Sequence, residues 1–185
     1  MVTREDPNTG LLAWPGFFAR FPNLVAERLA AGRSVGLSIG AVDDLDGYIE
    51  SMCVPATPSL GHLAGVELVT RLGATAREWL HHDDVRHGCL ATFGGAEIFF
   101  VAEVESEATF VGQVRRLRAA LVDALPRSVS FAAAVIDARS LSVADDEWRD
   151  YCVRVAARVE RALLVQRSAR GRGRPSLPIV TISIR

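Results

Sequence analysis

Three kinds of side chain in this sequence could do chemistry. The first is acidic. Asp43-Asp44 close the apolar run Ser34 to Val42, and Glu97 stands beside the Gly94-Gly95 pair, ahead of the run Ile98 to Val104. Such acids commonly stay solvated or cap a helix; brought together, they are the hard oxygen donors that a divalent cation takes. The second is basic: Arg167, Arg170, Arg172 and Arg174 form a cluster in a stretch that reads as a flexible linker. Arginine forks suit phosphates, and a solvated linker is the plainer reading. The third is His81-His82-Asp83-Asp84 with His87, which looks like a metal-ligand cluster. Adjacent histidines rarely converge on one ion and no second ligand pair accompanies them, so a solvated helix-end loop is expected. The sequence carries no Ser-His-Asp or Cys-His nucleophile pattern, no Walker loop and no dinucleotide fingerprint.

The elements that must position these residues follow from hydrophobic periodicity. Phe17 to Ala31, Leu63 to Leu80, Phe110 to Leu125 and Trp148 to Gln166 repeat apolar residues at helical spacing. Ser34 to Val42, Cys89 to Thr92, Ile98 to Val104 and Val129 to Ile136 read as strands, and Pro178 to Ile184 alternates two different faces. Gly94-Gly95 between two apolar runs is a hairpin signal, because both turn positions can take positive φ. Residues 51 to 60 hold two prolines and two serines and read as a loop. The expected class is α/β (α+β): a central mixed five-stranded sheet with an antiparallel hairpin, flanked by helices. The last strand is expected at an edge, where it could pair with another chain.

Bulk numbers narrow the function classes. At 185 residues, one domain over 1–185 is the simplest organisation. Hydrophobic content of 49% and charged content of 23% are ordinary for a soluble protein. The net charge of −1 argues against a nucleic-acid binder. No apolar run approaches a membrane span, and Met1 to Asp6 carries acids and lacks the apolar core of a signal peptide. Three widely spaced cysteines, 53, 89 and 152, suit reduced cytoplasmic thiols. All 21 basic residues are arginine, as a GC-rich bacterial genome would produce.

Four short segments, in order, resemble the GGDEF domains that make cyclic di-GMP from two GTP molecules. Asp6-Pro7-Asn8-Thr9-Gly10-Leu11 is similar to the opening D-x-L-T-G-L, with Ala13 and Trp14 in place of the Asn-Arg that follows. Ala41-Val42-Asp43-Asp44-Leu45-Asp46 aligns with D-x-D-x-F-K, and Ile49-Glu50 with the next N-D. Gly61-His62-Leu63-Ala64-Gly65-Val66 keeps most of G-H-x-x-G-D, and Gly94-Gly95-Ala96-Glu97-Ile98 is similar to the signature turn. Ala162 to Arg167 resembles a late A-L-Y-x-A-K stretch, with Arg167 at the Lys. The likeness runs from about residue 6 to 184 and implies the palm-like nucleotidyl cyclase fold.

The resemblance also shows what is missing. The family's metal-ligating acids fall on Ala41 and Ala96, its guanine-reading Asn and Asp on Ile49 and Val66, and the R-x-x-D inhibitory site on Val85 and Gly88. Magnesium lowers the barrier to cyclisation by stabilising charge on the attacking and leaving oxygens. At about 3 kcal/mol per lost ligand, two methyls would cost on the order of 10⁴-fold in rate. The resemblance therefore implies a degenerate, catalytically inactive domain. It would serve as a regulatory or signalling module that binds a protein partner, a second copy of itself or a guanine nucleotide, with no cofactor and no metal. The vestigial nucleotide pocket would comprise Asp43, Asp44, Gly94, Gly95, Glu97 and Arg167. Two alternatives stay open: a repurposed nucleotide-dependent enzyme with Asp43, Asp44 and Glu97 as a rearranged metal site, and a structural subunit of an assembly.

Overall fold

A nine-residue strand of alternating bulk organises the molecule. In the computed structural model, which describes residues 5–53, 57, 59–93, 96–137, 147–168 and 179–183, this strand is β2 (Ser34–Val42). It lies between β4 (Glu97–Val104) and β5 (Val129–Ile136), antiparallel to both. β3 (Cys89–Thr92) pairs antiparallel with β4, and β1 (Leu12–Ala13) extends the sheet beside β3 in parallel. β6 (Val180–Ser183) runs parallel to β5. The six strands are ordered β1-β3-β4-β2-β5-β6. The sequence reading expected five. The extra strand is the two-residue β1, too short to leave a period-2 pattern.

Side-chain alternation sends the sheet's two faces to two separate cores. Val35, Leu37, Ile39 and Ala41 meet α1 (Trp14–Ala30) and α5 (Trp148–Ser168). On the other face Phe100, Ala102, Phe131 and Ala133 pack with α3 (Ser59–His82) and α4 (Glu107–Ala124). Ile182 joins the first cluster and Ile179 the second, so the two-faced reading of the last strand holds, and β6 is at an edge as expected.

Helix ends have local causes. α1 starts three residues earlier than expected because Pro15 in its first turn has φ already set for a helix. It stops at Gly32, whose φ of +71° lets the Gly32 and Arg33 amides donate to the Leu29 and Arg28 carbonyls. Ser106 caps α4 by accepting from the Thr109 amide at 3.1 Å.

The sequence reading missed α2 (Leu45–Met52) and began α3 four residues late. α2 carries Leu45, Tyr48, Ile49 and Met52 at helical spacing, a pattern only two turns long that the sequence reading passed over. It is held from outside by α3. A Cβ at Gly61 would lie 2.7 Å from the Ile49 carbonyl oxygen, and one at Gly65 would lie 2.9 Å from Ile49 Cδ1. The two glycines of the G-H-x-x-G segment thus allow the two helices to touch.

Candidate functional site

The site region lies where β2 ends beside the start of β4. Ala41 is paired with Glu97 on one side and with Ser130 on the other. Paired residues on neighbouring strands share a face, so Ser130, Ala41 and Glu97 form a row on the face covered by α1 and α5. Ala41 is buried and packs in that core. Ala96, one residue before Glu97, packs instead against the core on the opposite face. The two positions where the resemblance places metal-ligating acids therefore carry methyls in different apolar clusters. Of the acids near them, Glu97 stands opposite Ala41.

Asp43 follows β2 and is held by hydroxyls. Ser128 donates to one carboxylate oxygen at 2.6 Å, and Ser130 donates to the other at 2.8 Å. The Asp43 amide donates to the Ser128 carbonyl at 2.8 Å. Ser130 is fully buried, so its hydroxyl needs an acceptor within the protein, and Asp43 supplies it. Asp44 sits at the N-cap of α2 with φ of +51° and accepts the Tyr48 amide through its backbone carbonyl. Its side chain makes no cap bond and is exposed, the solvated one of the two roles expected of such acids. A Cβ on Gly47 would meet that carboxylate at 2.5 Å, so Asp44 lies over its own helix.

Arg167, in the last turn of α5, donates from Nη2 to the Val42 carbonyl oxygen at 3.1 Å. It also lowers the pKa of Glu97, but two opposing effects prevail. Burial pushes the half-buried Glu97 carboxyl above its ordinary range, and the nearby Glu160 carboxylate adds to the rise. Asp43, Glu97 and Arg167 are thus all brought to the β2–β4 end. Gly94 and Gly95, with Arg170, Arg172 and Arg174, lie outside the described residues.

These groups do not fit a pair of divalent ions. A methyl at position 41 cannot ligate, Asp43 is engaged by two hydroxyls, and a guanidinium occupies the Val42 carbonyl. Among the described residues no three of His, Cys, Asp and Glu converge on one point. The His81–His87 segment disperses: Arg116 takes the Asp83 carboxylate through Nε and Nη2 at 3.1–3.2 Å, and His87 turns to Glu103 at 3.7 Å.

The other matched segments have structural duties. Asp6 Oδ1 accepts from the Asn8 and Thr9 amides and the Thr9 hydroxyl, and the Gly10 amide returns to the Asp6 carbonyl. That closed turn accounts for Asp6, Thr9 and Gly10. Val66, aligned with a guanine-reading Asp, is exposed near Leu63 and Leu60 on α3. Sequence reasoning missed the partners of Asp43: Ser128 and Ser130 lie 85 and 87 residues away, and nothing local marks them. It also missed Trp14 and Phe93, whose rings stand 5.4 Å apart near Glu97.

Comparison with family profiles and with curated proteins finds no match. Solved structures do match. The diguanylate cyclase SiaD of Pseudomonas aeruginosa, determined with its activator SiaC, aligns at a TM-score of 0.72 and 16% identity. That alignment covers 96% of this chain and 61% of SiaD. The GGDEF domain of DgcB from Caulobacter crescentus, in complex with c-di-GMP, aligns at 0.69 and 16% identity, covering 98% of each chain. The FimX GGDEF domain from Pseudomonas aeruginosa aligns at 0.64 and 16% identity, covering 98% of this chain and all of that one. The chain has the GGDEF, or nucleotidyl cyclase, fold. Among its described residues no helix is long and apolar enough to cross a membrane.

Proposed function

We propose that this GGDEF-fold chain is a module without diguanylate cyclase activity, one that acts by binding. The observation that carries the reading is the state of the β2 end. Position 41 is a buried methyl, Asp43 neutralises the hydrogen-bonding need of a buried serine, and Arg167 caps the Val42 carbonyl. A cyclisation centre needs cations at the reacting phosphate, and this end presents fixed internal partners instead.

The binding role has two supports. Arg167 places a guanidinium at the mouth of the former site, a group suited to phosphate. Structures of the same fold include SiaD with a protein activator and DgcB with c-di-GMP. A guanine nucleotide or a protein partner is the ligand class this reading assigns, and signalling the setting. The test is incubation of purified protein with GTP and Mg²⁺ or Mn²⁺, followed by chromatography, with parallel titration of GTP and c-di-GMP by calorimetry. No c-di-GMP and a measurable heat with one nucleotide or an identified partner is the expected result. Accumulation of c-di-GMP that is lost in Glu97→Gln would overturn the reading.

A further inference from the structure

Glu97 opens into a cavity of about 330 Å³ between α1, α5 and the start of β4. Its wall is aromatic. Trp14 lies at the centre, with ring centroids 4.9 Å from Phe18, 5.4 Å from Phe93 and 4.4 Å from Phe99. Phe93 meets Trp14 edge-on, while Phe18 and Phe99 are tilted against it. The remaining lining is aliphatic except for two charged side chains, and both are acids: Glu97, half-buried, and Glu160, exposed on α5. Among the described residues no cationic side chain lines the cavity. Arg167 acts on Glu97 from outside the lining and donates to the Val42 carbonyl.

We propose that this cavity is a binding site for a small amphipathic organic cation, an aryl- or alkyl-ammonium compound, seated with its apolar body against Trp14, Phe18 and Phe99 and its ammonium between Glu97 and Glu160. Three observations converge on that chemistry. The volume matches a small-molecule site, walled by apolar surface with a few polar groups. The aromatic wall of Trp14, Phe18 and Phe99 is the surface that an aryl or alkyl body covers. The charged part of the lining is also cationic in demand: its two charged side chains, Glu97 and Glu160, are both acids. A phosphate or a nucleotide would meet two carboxylates and be repelled, so this site is distinct in ligand class from the nucleotide reading and stands without it.

Glu97 also explains why such a ligand would be retained. Its carboxylate is held in a partly desolvated place beside another carboxylate, an arrangement unfavourable until a cation arrives. The free energy released on neutralising it goes into binding.

Three probes of one skeleton test the proposal by calorimetry on the intact chain: 4-phenylbutylamine, 4-phenylbutanol and 4-phenylbutyrate. The amine is expected to bind about tenfold or more tighter than the alcohol, and the butyrate weaker than the alcohol. The preference for the amine over the alcohol should collapse in Glu97→Gln/Glu160→Gln. Ala157→Phe, at an exposed lining position whose enlargement does not disturb the core, should abolish binding of the amine. Equal affinity for amine and alcohol overturns the proposal. So does a dissociation constant for the amine weaker than about 10 mM, or amine binding unchanged by Ala157→Phe. GTP and c-di-GMP titrations on the same variants separate this outcome from that of the nucleotide reading.

Discussion

Replacing Ala41 by aspartate would restore the carboxylate that the family resemblance places there, and the structure says what it would meet. The Ala41 side chain is 2% exposed and sits directly across from Glu97. Opposed Cβ atoms on antiparallel strands are about 5 Å apart. Two carboxylates at that distance repel by about 3 kcal/mol at an effective dielectric near 20. Arg167 is close enough to offset part of this, which leaves a charge penalty of about 2 kcal/mol. Ala41→Asn adds nearly the same volume without the charge, so it isolates the electrostatic part from crowding. For a chain of this size, 2 kcal/mol corresponds to a melting temperature roughly 4–8 °C lower for Ala41→Asp than for Ala41→Asn. The assay is thermal unfolding at pH 7.5 of both variants, alone and combined with Glu97→Gln. The gap should narrow in the Glu97→Gln background, because one repelling partner is gone; the cost of burying a carboxylate near Asp43 remains. Equal melting temperatures for the two single variants, or a gap that Glu97→Gln leaves undiminished, would refute the shared-face geometry on which the site rests.

Two further outcomes follow from the same end of the sheet. Burial and the Glu160 carboxylate raise the Glu97 pKa, so between the ordinary carboxylate range and that raised value the folded chain holds a proton the unfolded chain has lost. Stability from this group therefore falls as pH rises through that window. Glu97→Gln removes the loss, so its melting temperature should gain on the wild type as pH rises from the ordinary carboxylate range; parallel curves would sink the assignment. Asp43→Ala deprives the buried Ser130 hydroxyl of its carboxylate and should cost about 1–3 kcal/mol, read by denaturant unfolding. Asp43→Asn keeps an acceptor and should cost less, and equal losses would show that the hydroxyls do not depend on it.

Much of the fold was legible because its elements are long and strongly periodic. The apolar runs of β2, β4 and β5 and the stripes of α3, α4 and α5 carry their own burial pattern, since each must hide one face or both. β1 was not legible, because two residues beside β3 leave no pattern; α2 carries a two-turn pattern at Leu45, Tyr48, Ile49 and Met52 that the sequence reading passed over, and it leans on α3 through Ile49. The reading of 51–60 as loop was overturned at both ends, at Ser51–Met52 and at Ser59–Leu60, where helix continues.

The candidate site divides in the same way. Residue type alone established that positions 41 and 96 offer methyls where the resemblance places acids, and that Glu97, Asp43 and Arg167 remain; a methyl ligates nothing in any fold. Pairing register decided the rest. Because side chains on a strand alternate, one residue's difference sends Ala96 to one core and Glu97 to the other. Chain segments 85 and 87 residues apart bring Ser128 and Ser130 onto Asp43, and α1 carries Trp14 to within 4.4 Å of Phe99. A one-dimensional pattern reports which side chains want burial. Which acid faces which ring or hydroxyl depends on long-range strand pairing and helix packing, and only the folded chain closes those distances.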